Sequence, residues 1–178
     1  MARRARRWYA AAMPATMPDD PMLDPVPTAH DLATRPGFLI RRLHQIHVAL
    51  FIEECAAFNV TPVQYSILSA VQAYPGLDQA RLGEVVGVDR ATLANVAGRL
   101  ERRGLVRRRA SAADRRLRLV EITADGAALL ARMDAPARRA HARTIEALAP
   151  ADRSAFVQAL AQLVQSGNAH GRAPLRLG

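Results

Sequence analysis

The sequence contains one cysteine, no lysine and no long apolar run. The single thiol, Cys55, excludes a disulfide framework within the chain and fits a reducing cytosol, so we expect a cytoplasmic protein. No apolar stretch approaches the ~20 residues that a bilayer span needs, and no membrane contact is predicted. All 25 basic residues are arginine, which we attribute to a GC-rich genome as much as to selection.

The motifs of the common enzyme classes are also missing. The sequence has no nucleophile elbow, no glycine-rich phosphate loop and no paired-carboxylate motif. The residues best suited to acid–base chemistry lie on a predicted helix without an evident partner. We therefore predict that the protein is not an enzyme and needs no cofactor.

What the chain does contain is enough for one domain with tails. Half of its 178 residues are apolar, which supports a core for a domain of roughly 100–150 residues. Residues 1–33 hold five prolines, a basic tip and no helical period, so they are predicted to form a disordered arm. Residues 169–178 are predicted to form a loose tail.

Positive charge is concentrated between Arg81 and Arg118. Eleven arginines and four acidic residues give this segment +7 of the chain's formal net charge of +9. A charge excess gathered on one short segment is typical of proteins that bind polyanions. The segment is therefore the first candidate for a binding surface.

A short helix within this segment has one apolar and one polar side. Asp89 is placed to cap its start, and Gly104 to end it in the left-handed conformation. At 100° per residue its apolar side carries Leu93, Val96, Ala97 and Leu100. The opposite side carries Thr92, Asn95, Arg99 and Arg102, which are side chains that bond base edges and phosphates in a major groove. We call it the recognition helix.

Two strand patterns follow the recognition helix. Leu105–Arg109 and Leu117–Ile122 are rich in β-branched residues and leucine, and they flank the charged loop Ala110–Arg116. A basic hairpin beside a recognition helix has the layout of a wing, which can insert an arginine into an adjacent minor groove. The pattern predicts a β-hairpin with a DNA-contacting tip.

The helices outside this segment have clear predicted limits. The first runs from Pro36 to Phe58 and ends near Asn59. The second begins at Thr61-Pro62-Val63-Gln64, a capping box with proline at the first helical position. After the wing, Thr123 caps a helix that continues toward Leu148, where Pro136 is expected to kink or interrupt it.

Together these motifs resemble the MarR family of winged-helix transcriptional regulators. The similarity extends over roughly residues 35–166. Its most specific parts are the step Gly104-Leu105-Val106, the loop Asp114-Arg115-Arg116 and the motif Thr123-x-x-Gly126, all in family order.

The resemblance implies a mainly α fold with a small β-hairpin (α+β). A winged helix-turn-helix over residues 61–123 would bind double-stranded DNA, and residues 34–60 and 124–168 would form a helical dimerisation region. Arg116 would enter the minor groove, with Asp114 pairing to its guanidinium and orienting it. The residues expected to contact DNA are Arg90, Thr92, Asn95, Arg99, Arg102, Arg109, Asp114, Arg115 and Arg116.

The terminal helices predict a homodimer. A small winged domain cannot cover all of their apolar surface, whereas a second copy can. The stripe on the last helix consists of Phe156, Val157, Leu160, Leu163 and Val164. A two-fold dimer would place two recognition helices on half-sites about 34–36 Å apart, so we expect a pseudo-palindromic operator and repressor action.

Two histidines on the first helix indicate a ligand site. His44 and His47 lie one turn apart within the apolar arc of the wheel, which is typical of a polar patch in a small-molecule crevice. The run Arg35–Glu54, followed by Thr61-Pro62-Val63-Gln64-Tyr65, is similar to regulators of nicotinate breakdown. We therefore expect a small aromatic carboxylate effector, such as a hydroxylated nicotinate, held by His44 and His47 with Phe51 and Tyr65 around its ring.

Three alternatives remain open. His44, His47, Glu54 and His141 could form a metal-sensing site, although no tight ligand cluster supports one. Cys55 could sense oxidants, but its place within the apolar arc favours an inert, buried thiol. An adaptor that binds acidic proteins instead of DNA would show the same net charge.

Overall fold

A computed structural model of the chain describes residues 34–111, 114, 116–171 and 173–175. The chain divides into two compact units, residues 1–39 and residues 40–178. The predicted disordered arm, residues 1–33, lies outside the described residues, and so does Arg115. All the candidate site residues belong to the second unit.

Six α-helices and one antiparallel hairpin make up the described part of the chain. In order they are α1 (Pro36–Glu54), α2 (Pro62–Ala73), α3 (Gln79–Val86), α4 (Arg90–Arg102), β1 (Val106–Ala110), β2 (Arg118–Ile122), α5 (Ala124–Thr144) and α6 (Pro150–Gly167), with 3₁₀ turns at Ala56–Phe58 and Asn168–His170. This order confirms the prediction of a mainly α fold with a small hairpin. No described helix combines the length and the apolar character that crossing a membrane requires.

Side-chain caps fix the starts of four helices. Thr61 and Gln64 form the complete capping box of α2, with proline at the first helical position. Asp78, Asp89 and Thr123 accept backbone N–H groups at the starts of α3, α4 and α5. These acceptors satisfy donors that the first helical turn leaves unpaired, so each boundary is set by local chemistry.

The hairpin is packed onto the helix-turn-helix by its inner face. Val106 pairs with Ile122 at its base, and Val106 and Val120 are buried against α2, α3 and α4. Leu119 forms a bridge with Asp78, the residue that caps α3. A second core joins α1 to α5 through Phe51, Cys55, Met133, Ala137 and Ala140.

Two predicted helix ends are wrong, and the interruption expected at Pro136 does not occur. α1 ends at Glu54 and continues as a 3₁₀ turn, with Asn59 in the left-handed region at φ 50°. α5 passes Pro136 without interruption because the buried Met133, Ala137 and Ala140 hold both sides of that position against α1, which offsets the lost hydrogen bond. The helix stops at Thr144 rather than near Leu148.

The turn after α5 and the C-terminal segment are both held by side chains. Arg153 donates to the carbonyl oxygens of Glu146 and Leu148, and so stabilises the turn that replaces the last predicted turn of α5. Asn168 bonds both the N–H and the carbonyl of Leu175, each at 2.7 Å. The described part of the predicted loose tail is therefore anchored to the end of α6.

Candidate functional site

The recognition helix, α4, presents the predicted polar face. Leu93, Ala97 and Leu100 are completely buried, which fixes the rotation of the helix on its core. Every predicted DNA-contacting residue of this helix is exposed, namely Arg90, Thr92, Asn95, Arg99 and Arg102. None of these arginines forms an ion pair with another described residue, so their charge is available to a partner.

Thr92 has a more restricted role than its exposure suggests. Its backbone N–H and its hydroxyl both donate to Asp89, at 2.9 and 2.7 Å. These bonds to the carboxylate lower the pKa of Asp89. Because the hydroxyl proton of Thr92 is used by the cap, its oxygen is left to accept a bond from DNA.

Most arginines of the hairpin strands are paired with carboxylates of the protein. Arg107 and Arg109 both donate to Glu121, while Arg108 donates to Glu101. Hydrogen bonds from these guanidinium groups lower the pKa of Glu121 and of Glu101. Arg109, one of the predicted DNA contacts, therefore has a partner already, and the two carboxylates hold the strands and α4 together.

The tip of the hairpin leaves Arg116 exposed. Asp114 accepts a hydrogen bond from the backbone N–H of Arg116 at 2.9 Å, rather than from the guanidinium as predicted. The carboxylate thus shapes the loop and leaves the side chain of Arg116 without an ion pair to any described residue. Arg118 was not predicted; it is exposed and lines a groove of about 370 Å³ with Gln79, Glu101 and Arg108.

The predicted ligand residues are only partly brought together. The Phe51 ring lies 6.3 Å from the His47 ring and 5.5 Å from the Tyr65 ring, centre to centre, but it is 1% exposed. His47 Nδ1 is 2.9 Å from the hydroxyl of Thr144, and the His47 ring stacks on His141. His44 is exposed in the single chain, although the wheel placed it in the apolar arc of α1.

Burial, with the neighbouring His141 and His44, lowers the pKa of His47. Its imidazole is consequently mainly neutral near pH 7. Because the Thr144 hydroxyl donates to the carbonyl oxygen of Ala140 at 2.8 Å, the Nδ1–H of His47 donates to Thr144. The contacts of His47 with α5 could not be found from sequence, because they join positions about a hundred residues apart.

A cleft of about 560 Å³ opens beside Tyr65, between α2 and α5. Its polar walls are Ser69, Gln72 and Asp134, and its apolar wall includes Leu130. Asp134 pairs with Arg138 at 3.0 Å. The mixture of hydroxyl, amide and apolar groups is suited to a small polar aromatic molecule.

The residues of the metal and redox alternatives have other partners. Arg139 and Arg143 donate to Glu54, at 2.7 and 2.8 Å, and so join α1 to α5. Among the described residues, no group of three histidine, cysteine or acidic side chains is arranged to hold a metal ion. Cys55 is buried as predicted, and that burial raises the pKa of its thiol, which disfavours the reactive thiolate.

Comparison with known proteins decides the family. The sequence pattern of the MarR family matches residues 58–117. NicR of Pseudomonas putida, an HTH-type transcriptional repressor, is 32% identical over 151 residues, which span 85% of this chain and 94% of NicR. The chain belongs to the MarR family.

Solved structures of transcriptional regulators share the fold. BpsR of Bordetella bronchiseptica, whose DNA binding is regulated by 6-hydroxynicotinic acid, has a TM-score of 0.71 at 31% identity, over 75% of this chain and 96% of BpsR. PcaV of Streptomyces coelicolor, solved with its natural ligand, has a TM-score of 0.69 at 34% identity, over 82% of this chain and 99% of PcaV. This MarR protein is thus a winged-helix transcriptional regulator and not an enzyme.

Proposed function

We propose that this MarR protein is a homodimeric repressor that binds a pseudo-palindromic operator and releases it when a small aromatic carboxylate binds. The observation that carries the DNA part is the exposed face of α4, whose arginines have no acidic partner among the described residues. Arg116 extends that surface at the tip of the hairpin. An adaptor for acidic proteins would have no use for Asn95 and Thr92 on the same face, since these side chains suit base edges.

Arg116→Ala is expected to weaken operator binding by roughly 10- to 100-fold, or about 1–3 kcal/mol. Affinity falls because the variant lacks the guanidinium that would enter the minor groove. In wild type this group contacts DNA without breaking an ion pair within the described part of the protein. Fluorescence anisotropy with an operator duplex measures the change. Arg138→Ala is the matched control, since it removes an exposed arginine paired with Asp134 on α5. Equal weakening by both variants would contradict a specific role for the wing.

The dimer proposal is based on α6. This helix is 18 residues long, yet none of its residues is buried in the single chain. Val157, Leu160, Leu163 and Val164 remain 37–65% exposed. Short helices gain most of their stability from packing an apolar face, so α6 needs a covering surface. A second copy supplies it and also brings the second recognition helix.

The effector proposal is based on two relatives and one cleft. Similarity to NicR, and to BpsR with its 6-hydroxynicotinic acid, favours a hydroxylated nicotinate. In the cleft, the ring would pack beside Tyr65 and Leu130, with Ser69 and Gln72 as hydrogen-bond donors to the carboxylate. His44 and His47 are a second proposed location for the carboxylate, with Phe51 as the buried support between His47 and Tyr65.

Titration of 6-hydroxynicotinate into the protein–operator complex tests the effector proposal. We expect release of DNA, with a smaller response to salicylate and benzoate. Ser69→Ala with Gln72→Ala should raise the concentration needed if the cleft binds the carboxylate. His44→Ala with His47→Ala should do so if the histidines bind it. Retention of DNA at saturating concentrations of all three acids would contradict the effector proposal.

A further inference from the structure

Arg103 connects the end of the recognition helix to the turn that follows α1. It terminates α4, and its two terminal nitrogens donate to the carbonyl oxygens of Asn59 at 2.6 Å and Phe58 at 3.0 Å. The left-handed Asn59 ends the 3₁₀ turn and leaves these carbonyls without a helical continuation. A guanidinium is the side chain that satisfies both at once, with charge-assisted bonds in a fixed fork.

The other side of that turn leads to the proposed effector cleft. Phe58 is partly buried and packs on the core cluster that contains Phe51. Tyr65 packs on the same cluster, with its ring 5.5 Å from that of Phe51, and it lines the cleft. The guanidinium of Arg132, on α5, lies 5.5 Å from the centre of the Phe58 ring. Tyr65 and the Phe58 side chain therefore pack on one core cluster, and the main-chain carbonyl of Phe58 accepts from Arg103.

Arg103 also differs from the other arginines near the recognition surface. Arg99 and Arg102 are exposed and have no ion pair with described residues, whereas Arg107, Arg108 and Arg109 are held by carboxylates. Arg103 is directed to main-chain oxygens of another element. Its hydrogen bonds form only while the 3₁₀ turn and the end of α4 keep one relative position. They therefore stabilise one orientation of the recognition helix over another.

We propose that Arg103 is the positioning residue that couples the effector cleft to the recognition helix. The proposal rests on the proposed function. Effector binding against Tyr65 shifts the aromatic cluster and the 3₁₀ turn, and Arg103 transmits that shift to the end of α4. By linkage, operator binding restricts the turn through the same contact.

The first test compares operator affinity with and without saturating 6-hydroxynicotinate. Wild type should show a ratio of about 5- to 150-fold, as for other coupled sites. Arg103→Ala should reduce that ratio toward one, while calorimetry shows 6-hydroxynicotinate binding to the free protein within about threefold of wild type. Arg102→Ala, its neighbour on α4, should lower operator affinity and keep the ratio. An unchanged ratio in Arg103→Ala would overturn the coupling.

A second measurement needs no effector and so separates this proposal from the effector proposal. In wild type, the backbone amides of residues 58–65 should exchange hydrogen more slowly in the operator complex than in the free protein. Arg103→Ala, saturated with operator, should lose that difference, and Arg103→Lys should restore only part of it because lysine lacks the fork. The same protection in wild type and Arg103→Ala overturns the coupling even if no acid releases DNA.

Discussion

Replacing Leu160 and Leu163 with aspartate is expected to split the dimer and to lower operator affinity by about 10²- to 10⁴-fold. Both leucines lie on the exposed apolar stripe of α6, at 37% and 65% exposure. Charges there would have to be desolvated in a dimer interface but stay hydrated in the monomer. Once the protomers separate, binding of the first recognition helix no longer holds the second one close to its half-site. Each protomer then binds its half-site independently, with lower affinity.

The matched control for this change is Gln162→Asp with Gln165→Asp. It adds the same charge to α6 on the side opposite the leucines, so it should leave the dimer intact. Light scattering at micromolar concentration gives the oligomeric state, and circular dichroism shows whether the helices persist. A wild-type monomer, or a dimer that survives both aspartates, would contradict the dimerisation surface.

Gly126→Ala is expected to destabilise the protein by about 1–3 kcal/mol or more, because the space for a side chain is already filled. A Cβ at position 126 would lie 2.0 Å from the carbonyl oxygen of Leu105 and 2.9 Å from Ile122. The first of these atoms belongs to the backbone at the base of the wing. Relief therefore requires the wing or the start of α5 to move.

The same glycine completes the joint between α4, the wing and α5. Thr123 accepts the Gly126 N–H at 3.0 Å and donates its hydroxyl to the Gly104 carbonyl at 2.6 Å, while its own N–H donates to Leu105. Displacing Gly126 strains this joint, so the variant should also bind operator less well.

Thermal unfolding measures the stability loss, at about 2–4 °C of Tm for each kcal/mol in a chain of this size. Gly167→Ala is the control variant, because an added Cβ at that helical position would have no atom within 4 Å. It should be neutral or stabilising by up to about 1 kcal/mol, because alanine restricts the unfolded chain. Equal Tm values for the two variants would contradict the packing argument.

The helix starts and the wing could be predicted because their causes are local. Thr61 with Gln64, Asp89 and Thr123 bond to backbone groups three residues away, and Gly104 adopts the expected positive φ. The face of α4 that packs on the core was predicted from the spacing of its apolar residues alone. The continuation of α5 past Pro136 could not be predicted, because it depends on packing between α1 and α5, which helical periodicity does not show.

The remaining site features depend on contacts between distant residues. Glu121 binds two arginines across the hairpin, which the count of positive charge could not foresee. The cleft beside Tyr65 exists only where α2 meets α5, and Arg103 meets Phe58 from 45 positions away. The wheel placed both His44 and His47 in the apolar arc, whereas of the two only His47 has a described contact with α5, through Thr144 and His141.

The most direct test of sequence-specific regulation is the affinity for a selected operator compared with that for random duplex DNA. Duplexes enriched from the source genome should contain two inverted half-sites separated by one helical turn. Anisotropy near 150 mM salt should show these bound about 10³-fold or more tightly than random DNA, with two protomers per duplex. Equal affinity for both duplexes, or no binding at low salt, would contradict a sequence-specific winged-helix regulator.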